Sequence, residues 1–316
     1  MKNRALWSYI EFICVVCLIL GCVTALQAKV KTQTSQSQLA NSNLPGLEVR
    51  TIEEALALPD DQIDLATAIL LLSQEAYQDL YQITIDVYEY RDRIDEMAMT
   101  LKKKIGKTKD PEKIVKTINT YLFQELNFKP VDVEEEPKSY FLSFVLDEKK
   151  GSCLGLSMLY LAIAERIGLP LYGVCLPKHY FVRYENGRKR FNIETTNNGI
   201  SCPDDSYRKD FNVPESNQFY LKSLGKREIF GVFYYNRGFA YYKKGFYDQA
   251  IADYEKAIEL DPGEAKAYYN KADACEKSGR TKEAVEAYQG FIQYAPPQYA
   301  SYIEYAKERI QALEGK

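Results

Sequence analysis

From residue 51 onward the chain's apolar and polar positions follow the period of a helix. Thr51-Ile52-Glu53-Glu54 is a capping box that opens a short first helix. Leu65, Ala68, Ile69, Leu72 and Ala76 predict a helix over 64–81, and Ile94, Met97, Ala98, Leu101 and Ile105 predict a second that Gly106 stops. Asp110-Pro111 starts a third, with Ile114, Ile118, Tyr121 and Leu122 on one face. Residues 131–137 read as an acidic, proline-bounded loop, a solvated run rather than a ligand set. Residues 139–146 predict a short apolar helix. Leu156, Leu159, Tyr160, Ile163 and Ile167 then predict a buried helix beginning at Cys153. Gly151-Ser152 breaks the chain before it, and Gly168-Leu169-Pro170 stops it.

The period then changes to two. Asn186-Gly187 separates two β-rich runs, 179–184 and 189–196, and Asn-Gly is the preferred pair for a type I′ turn. A two-residue loop there sets Glu185 opposite Arg188, Phe181 opposite Asn192 and His179 opposite Glu194. Opposed residues share one side of a sheet with Cβ atoms about 4.5–5.5 Å apart, within reach of a carboxylate–imidazole hydrogen bond. The placement depends on register, since a slip of one residue brings Ile193 or Thr195 to that position. Residues 201–226 are polar, with Pro203 and Pro214, and join this domain to a C-terminal one. Their Tyr207, Phe211, Phe219 and Tyr220 are expected to pack back onto the first domain.

A 34-residue repeat occupies the rest. Tyr234, Gly238, Tyr241, Ala250, Tyr254, Ala257 and Pro262 return as Tyr268, Ala272, Cys275, Ala284, Tyr288, Phe291 and Pro296. Gly245 and Gly279 mark a turn inside each unit. These are the positions of the tetratricopeptide repeat, in two units, 231–264 and 265–298, with residues 299–313 as a terminal capping helix. Two units and a cap are near the minimum for stability, so the array is expected to lean on the preceding domain. Its concave face implies a protein or peptide partner; the alternative is a buttress without one.

The candidate chemistry falls in the 149–196 stretch. Cys153 stands where free backbone N–H groups and the positive end of a helix favour a thiolate and can receive a developing oxyanion. His179 is the single histidine of the chain. With Glu194 to orient it, Cys153, His179 and Glu194 form a candidate Cys-His-acid site for acyl transfer. Taken singly, each has an ordinary reading: a small core residue, a surface histidine, a solvated strand carboxylate.

Lys150–Cys153, the helix after it, the strand entering His179 and the closing Asn192-Ile193-Glu194-Thr195-Thr196 resemble the transglutaminase-like superfamily. The branch they are most similar to is the bacterial one that carries C-terminal tetratricopeptide repeats. The resemblance covers residues 64 to the C-terminus. It implies an α+β fold: a helix-rich, papain-like domain over 51–226 with a small antiparallel sheet, then an all-α repeat array over 227–316. It also implies a thioester on the cysteine, and peptide or amide hydrolysis or transamidation. Some members of the branch lack the cysteine, so the alternative is an inactive fold that serves as a binding scaffold. Glu194 departs from the pattern, which has Asp there, and no counterpart to the family's upstream side-chain oxyanion donor is evident.

Composition narrows this further. The 316 residues are 46% hydrophobic and 27% charged, with a net charge of −3, so there is no basic footprint for nucleic acid. No phosphate loop, cofactor box or metal-ligand cluster occurs, so no cofactor or metal is expected. Residues 1–28 read as an export leader, with Lys2 and Arg4 before an uncharged run from Phe12 to Ala28. Three outcomes stay open: lipid attachment at Cys22 after Ile19-Leu20-Gly21, cleavage after Ala25, or an uncleaved membrane anchor. Residues 29–50, rich in Gln, Ser, Thr and Asn at their start, read as a flexible tether. The expected location is the cell envelope, membrane-tethered or periplasmic. There an oxidising compartment can join Cys175 to Cys202, or leave both reduced.

Overall fold

The computed structural model describes residues 45–215 and 220–315. The leader, Cys22, most of the tether and Phe219 lie outside the described residues. Helix α1 (Ile52–Ala57) opens on Thr51, whose hydroxyl accepts from the Glu54 N–H at 3.2 Å. The second half of the capping box is displaced by one residue, because the Glu54 carboxylate accepts from the Arg50 N–H. Helix α2 (Leu65–Tyr81) is capped by Asp64 and buried on every side over 65–73, as its run of Leu, Ile and Ala requires. Helix α3 (Val87–Ile105) ends at Gly106, and α4 (Pro111–Asn119) starts on an Asp110 cap with proline in its first turn. A π-helical turn, Thr120–Glu125, extends α4.

A two-residue parallel pair comes next, β1 (Lys129–Pro130) with β2 (Lys150–Gly151). It brackets α5 (Leu142–Glu148), which begins three residues later than the apolar pattern predicts. Helix α6 (Cys153–Ile167) runs from a Ser152 cap to a left-handed Gly168 at φ 75°, as its break and stop residues predict. The sheet is an antiparallel meander of β3 (Leu171–Leu176), β4 (His179–Glu185) and β5 (Arg190–Ile193). Tyr180, Val182 and Tyr184 face the core shared with α6, while Phe181 faces a second cluster with Tyr207, Val213, Tyr220 and Leu221.

The β4–β5 register differs from the expected one by two residues. Glu185 pairs with Arg190, Arg183 with Asn192 and Val182 with Ile193. The reason is a four-residue loop, 186–189. The Asn186 side-chain oxygen accepts from the N–H groups of Arg188 and Lys189, and the Asn186 N–H donates to the Lys189 carbonyl. That Asx closure replaces a two-residue type I′ turn.

Helix α7 (Asp204–Asp210) lies on the Phe181 side of the sheet. The repeats are α8 (Lys226–Lys243) with α9 (Tyr247–Leu260), then α10 (Ala265–Lys277) with α11 (Thr281–Tyr294), and the cap is α12 (Ala300–Glu314). Gly245 and Gly279 take φ 82° and 77° at the turns inside each unit, a conformation that favours glycine. Ile229, Phe230, Phe233 and Tyr234 of α8 belong to the same core as α2, α5 and α6. Arg237 on α8 reaches the Leu72 carbonyl and Glu75 on α2, and the Tyr241 hydroxyl donates to Asp79 at 2.9 Å. The described residues form one compact unit, and the repeats rest on α2. The fold is α+β and helix-rich. No helix among the described residues is long and apolar enough to cross a membrane.

Candidate active site

The start of α6 is fixed from three directions. Ser152 donates its N–H to the Ser139 carbonyl at 2.9 Å, and its hydroxyl accepts from the Gly155 N–H at 3.3 Å. Gly155 has no room for a side chain, since a Cβ there meets the same Ser139 carbonyl at 2.2 Å. Cys153 is therefore held as the first helical residue, half-buried, beside the free N–H groups that any helix start presents.

His179 is the first residue of β4 and pairs with Leu176 across the Pro177-Lys178 turn. Glu194 follows β5 directly and is 7% exposed. Its N–H donates to the Ile200 carbonyl at 2.9 Å, and its carbonyl accepts from the Gly199 N–H at 2.8 Å. This turn is stapled to α6. Ser157 and Thr195 share a hydroxyl contact at 2.9 Å, and Tyr160 donates to Asn119, which in turn donates to the Gly199 carbonyl.

His179 Nε2 meets Glu194 Oε2 at 2.7 Å. The two are diagonal neighbours, and the contact survives the two-residue register shift because a shift by an even number keeps every side chain on its side of the sheet. The Cys153 side chain is near enough to the same ring to raise its pKa. Glu194 occupies Nε2. Burial alone pushes the imidazole down. The Cys153 side chain, the hydrogen bond to the Glu194 carboxylate and the Glu194 charge outweigh it and raise His179 to about 9. Burial likewise pushes Glu194 up, but His179 and Thr196 hold its carboxyl below the ordinary value. The structure thus brings Cys153, His179 and Glu194 together.

Tyr207 and Phe211 pack onto this domain as expected, but the contacts of Thr196, Tyr207 and Phe211 with the site were not foreseen. Thr196 gives both its N–H (3.1 Å) and its hydroxyl (2.6 Å) to Glu194 Oε1. The Tyr207 hydroxyl donates to Glu194 Oε2 at 2.9 Å. The Phe211 ring stacks on His179 at 5.2 Å with an 11° tilt. Thr196 sits two residues after Glu194, where a Glu-x-Thr turn is a local signal. Tyr207 on a separate helix and Phe211 just after it carry no such signal.

The cysteines 153, 175, 202 and 275 are all free thiols, so Cys175 and Cys202 are not joined. Burial pushes the Cys175 thiol up strongly and Cys275 up to about 11, which sets both against reaction.

A thiol at a helix start, an imidazole and a carboxylate on a small sheet, and an all-α array beyond them define the class. The family model described as "Transglutaminase-like superfamily" matches residues 88–249, and the one described as "Tetratricopeptide repeat" matches 235–300. The first spans just over half of the chain, and the chain belongs to the transglutaminase-like superfamily. Two curated relatives are UPF0162 proteins of Xylella fastidiosa, strains 9a5c and Temecula1 / ATCC 700964. They are each 30% identical over 137 and 136 residues, or 41% and 40% of this chain. The matched stretch spans 45% and 44% of those relatives, under half of their length. A crystal structure of menin, described as revealing the binding site for Mixed Lineage Leukemia (MLL) protein, aligns at a TM-score of 0.43 and 12% identity. That alignment covers 83% of this chain and 75% of that one. A likeness that slight carries no argument about fold or function.

Proposed function

We propose that the chain is a cysteine acyl-transfer protein that acts on peptide or amide carbonyls, with the repeats as its protein-binding module. The observation that carries the reading is His179, held between the Cys153 thiol and the Glu194 carboxylate. A histidine raised to about 9 stays protonated at neutral pH, and a thiolate is its natural partner. The sulfur attacks an amide carbonyl carbon, a C–S bond forms and the C–N bond breaks. The imidazolium gives its proton to the departing amine. Water or a second amine then attacks the thioester and gives its proton to His179, and the C–S bond breaks to return the thiolate. The free N–H groups at the α6 start would receive the oxyanion of both steps. The leader-like pattern of residues 1–28 supports placing this activity in the cell envelope, with Cys22 as the lipid attachment point.

A second reading is a binding scaffold without turnover. Its support is the closure of the site: Glu194 is almost fully covered and Phe211 lies flat on His179. Iodoacetamide labelling read peptide by peptide separates the two, with p-nitrophenyl acetate as a generic acyl donor. The enzyme reading expects Cys153 to label well ahead of Cys202 and Cys275, with an acetyl group retained on Cys153 alone. Equal labelling rates and no acetyl adduct would favour the scaffold.

A further inference from the structure

We infer that Tyr207 and Thr196 are positioning residues: their hydroxyls hold the Glu194 carboxylate in the one orientation that meets His179. The inference rests on the reading of Cys153, His179 and Glu194 as one acyl-transfer unit.

An ionised carboxylate has about four acceptor sites. All four are used in Glu194. Oε1 takes the Thr196 N–H and hydroxyl, and Oε2 takes His179 and the Tyr207 hydroxyl. Glutamate has one more rotatable bond than the aspartate usual at this position, so its carboxylate needs more restraint to present the same oxygen. Thr196 supplies restraint from the turn itself. Tyr207 supplies it from another element. Its helix, α7, is tied to the sheet through Asp204, which accepts from Arg183 and Asn192 at 2.7 Å each. Arg183 is fully buried and also donates to the Leu221 carbonyl. The Tyr207 ring lies flat on Phe181, 4.3 Å between centroids with a 4° tilt, which aims its hydroxyl at Glu194.

The groups that face this cluster are few. Cys153 comes from α6, Glu194 and Thr196 from the turn after β5, and Tyr207 and Phe211 from the α7 segment. Cys202 also acts on Tyr207. If the hydroxyls only bury their polar ends on the nearest acceptor, removing them leaves the histidine unchanged. If they only withdraw charge from Glu194, removing them raises the histidine. A positioning role predicts the opposite, because a freed carboxylate swings away and the imidazolium loses its support.

His179 is the single histidine of the chain, so one C2–H resonance reports it in the untagged full-length protein. We would titrate wild type, Tyr207→Phe, Thr196→Val, the double variant and Glu194→Gln, and measure iodoacetamide rates at Cys153 on the same samples. The double variant is expected to move the His179 midpoint down by about one pH unit and to slow Cys153 labelling about tenfold. Each single variant is expected to do part of this, with folded-state spectra retained; Thr196→Val, which is only half-buried, carries the test if loss of Tyr207 unfolds the chain. A midpoint that stays or rises in the double variant, while Glu194→Gln lowers it, overturns the positioning role and leaves the acyl-transfer reading intact. Wild-type Cys153 that labels no faster than Cys202, with a midpoint indifferent to Glu194→Gln, overturns both.

Discussion

His179 and Glu194 meet through Nε2 and Oε2 at 2.7 Å, and the Cys153 side chain acts on the same imidazole. The pair sets a pH window for stability. His179 is raised from 6.5 to about 9, so its contribution is complete below pH 6.5 and is lost as pH climbs through 9. Glu194 is held below its ordinary 4.5, so its contribution is present above that value and is lost as pH falls through the lowered one. The raised histidine corresponds to at most about 3 kcal/mol. Thermal unfolding of wild type against His179→Gln is expected to show the largest gap near pH 6, closing between pH 7 and 10. A gap that does not change with pH would remove the charged pair from the account.

Cys153 is a small, half-buried first-turn residue, and serine reproduces its shape. Cys153→Ser is expected to leave stability within about 1 kcal/mol of wild type and to abolish acetylation by p-nitrophenyl acetate. Acetyl transfer that persists in this variant would place the nucleophile elsewhere.

Tyr180 follows His179 on β4, and its ring fills the space over Gly173 on β3. A Cβ on Gly173 would sit 1.6 Å from the Tyr180 hydroxyl oxygen. Gly173→Ala is therefore expected to cost about 1–3 kcal/mol by overpacking. The same hydroxyl is buried with no hydrogen-bond partner among the described residues, so Tyr180→Phe is expected to be neutral or mildly stabilising. The double variant should recover part of the alanine cost, because the ring carbons still approach the new methyl. Urea unfolding of the four proteins measures the cycle. Strict additivity would show that the clash is relieved by backbone movement instead.

Much of this arrangement is written locally. Ser152 and Gly168 mark both ends of α6, and Gly245 and Gly279 mark the turns of the repeats, because caps and positive-φ turns need only neighbours in sequence. The meeting of His179 and Glu194 is legible through face parity alone, even though the Asn186 side chain closes a longer loop than Asn-Gly alone predicts. Tyr207 is another matter. It reaches Glu194 only because Arg183, Asn192 and Asp204 anchor α7 on the sheet, a tertiary contact that leaves no periodic trace. The β1–β2 pair escapes for the same reason, since two residues of parallel strand carry no pattern to read.

Arg237 joins the repeats to α2 and is the strongest single test of that junction. Its guanidinium makes two bonds of 2.7 Å to Asp253 on α9, and one Nη reaches the Leu72 carbonyl and Glu75 on α2. Arg237 and Asp253 are both buried. Removing the cation strands a buried carboxylate, so Arg237→Ala is expected to cost about 3–5 kcal/mol. Replacing both buried partners by apolar residues of similar volume, Arg237→Met with Asp253→Leu, should cost much less, because the one carboxylate that loses its cation, Glu75, is open to water. Because α8 packs into the same core as α2 and α6, the loss should lower one common unfolding transition. Cys275 accessibility in urea tracks the repeats, and the His179 C2–H resonance tracks the sheet. If the repeats melt first in Arg237→Ala while His179 stays native, the ion pair serves the array alone and the shared core survives without it.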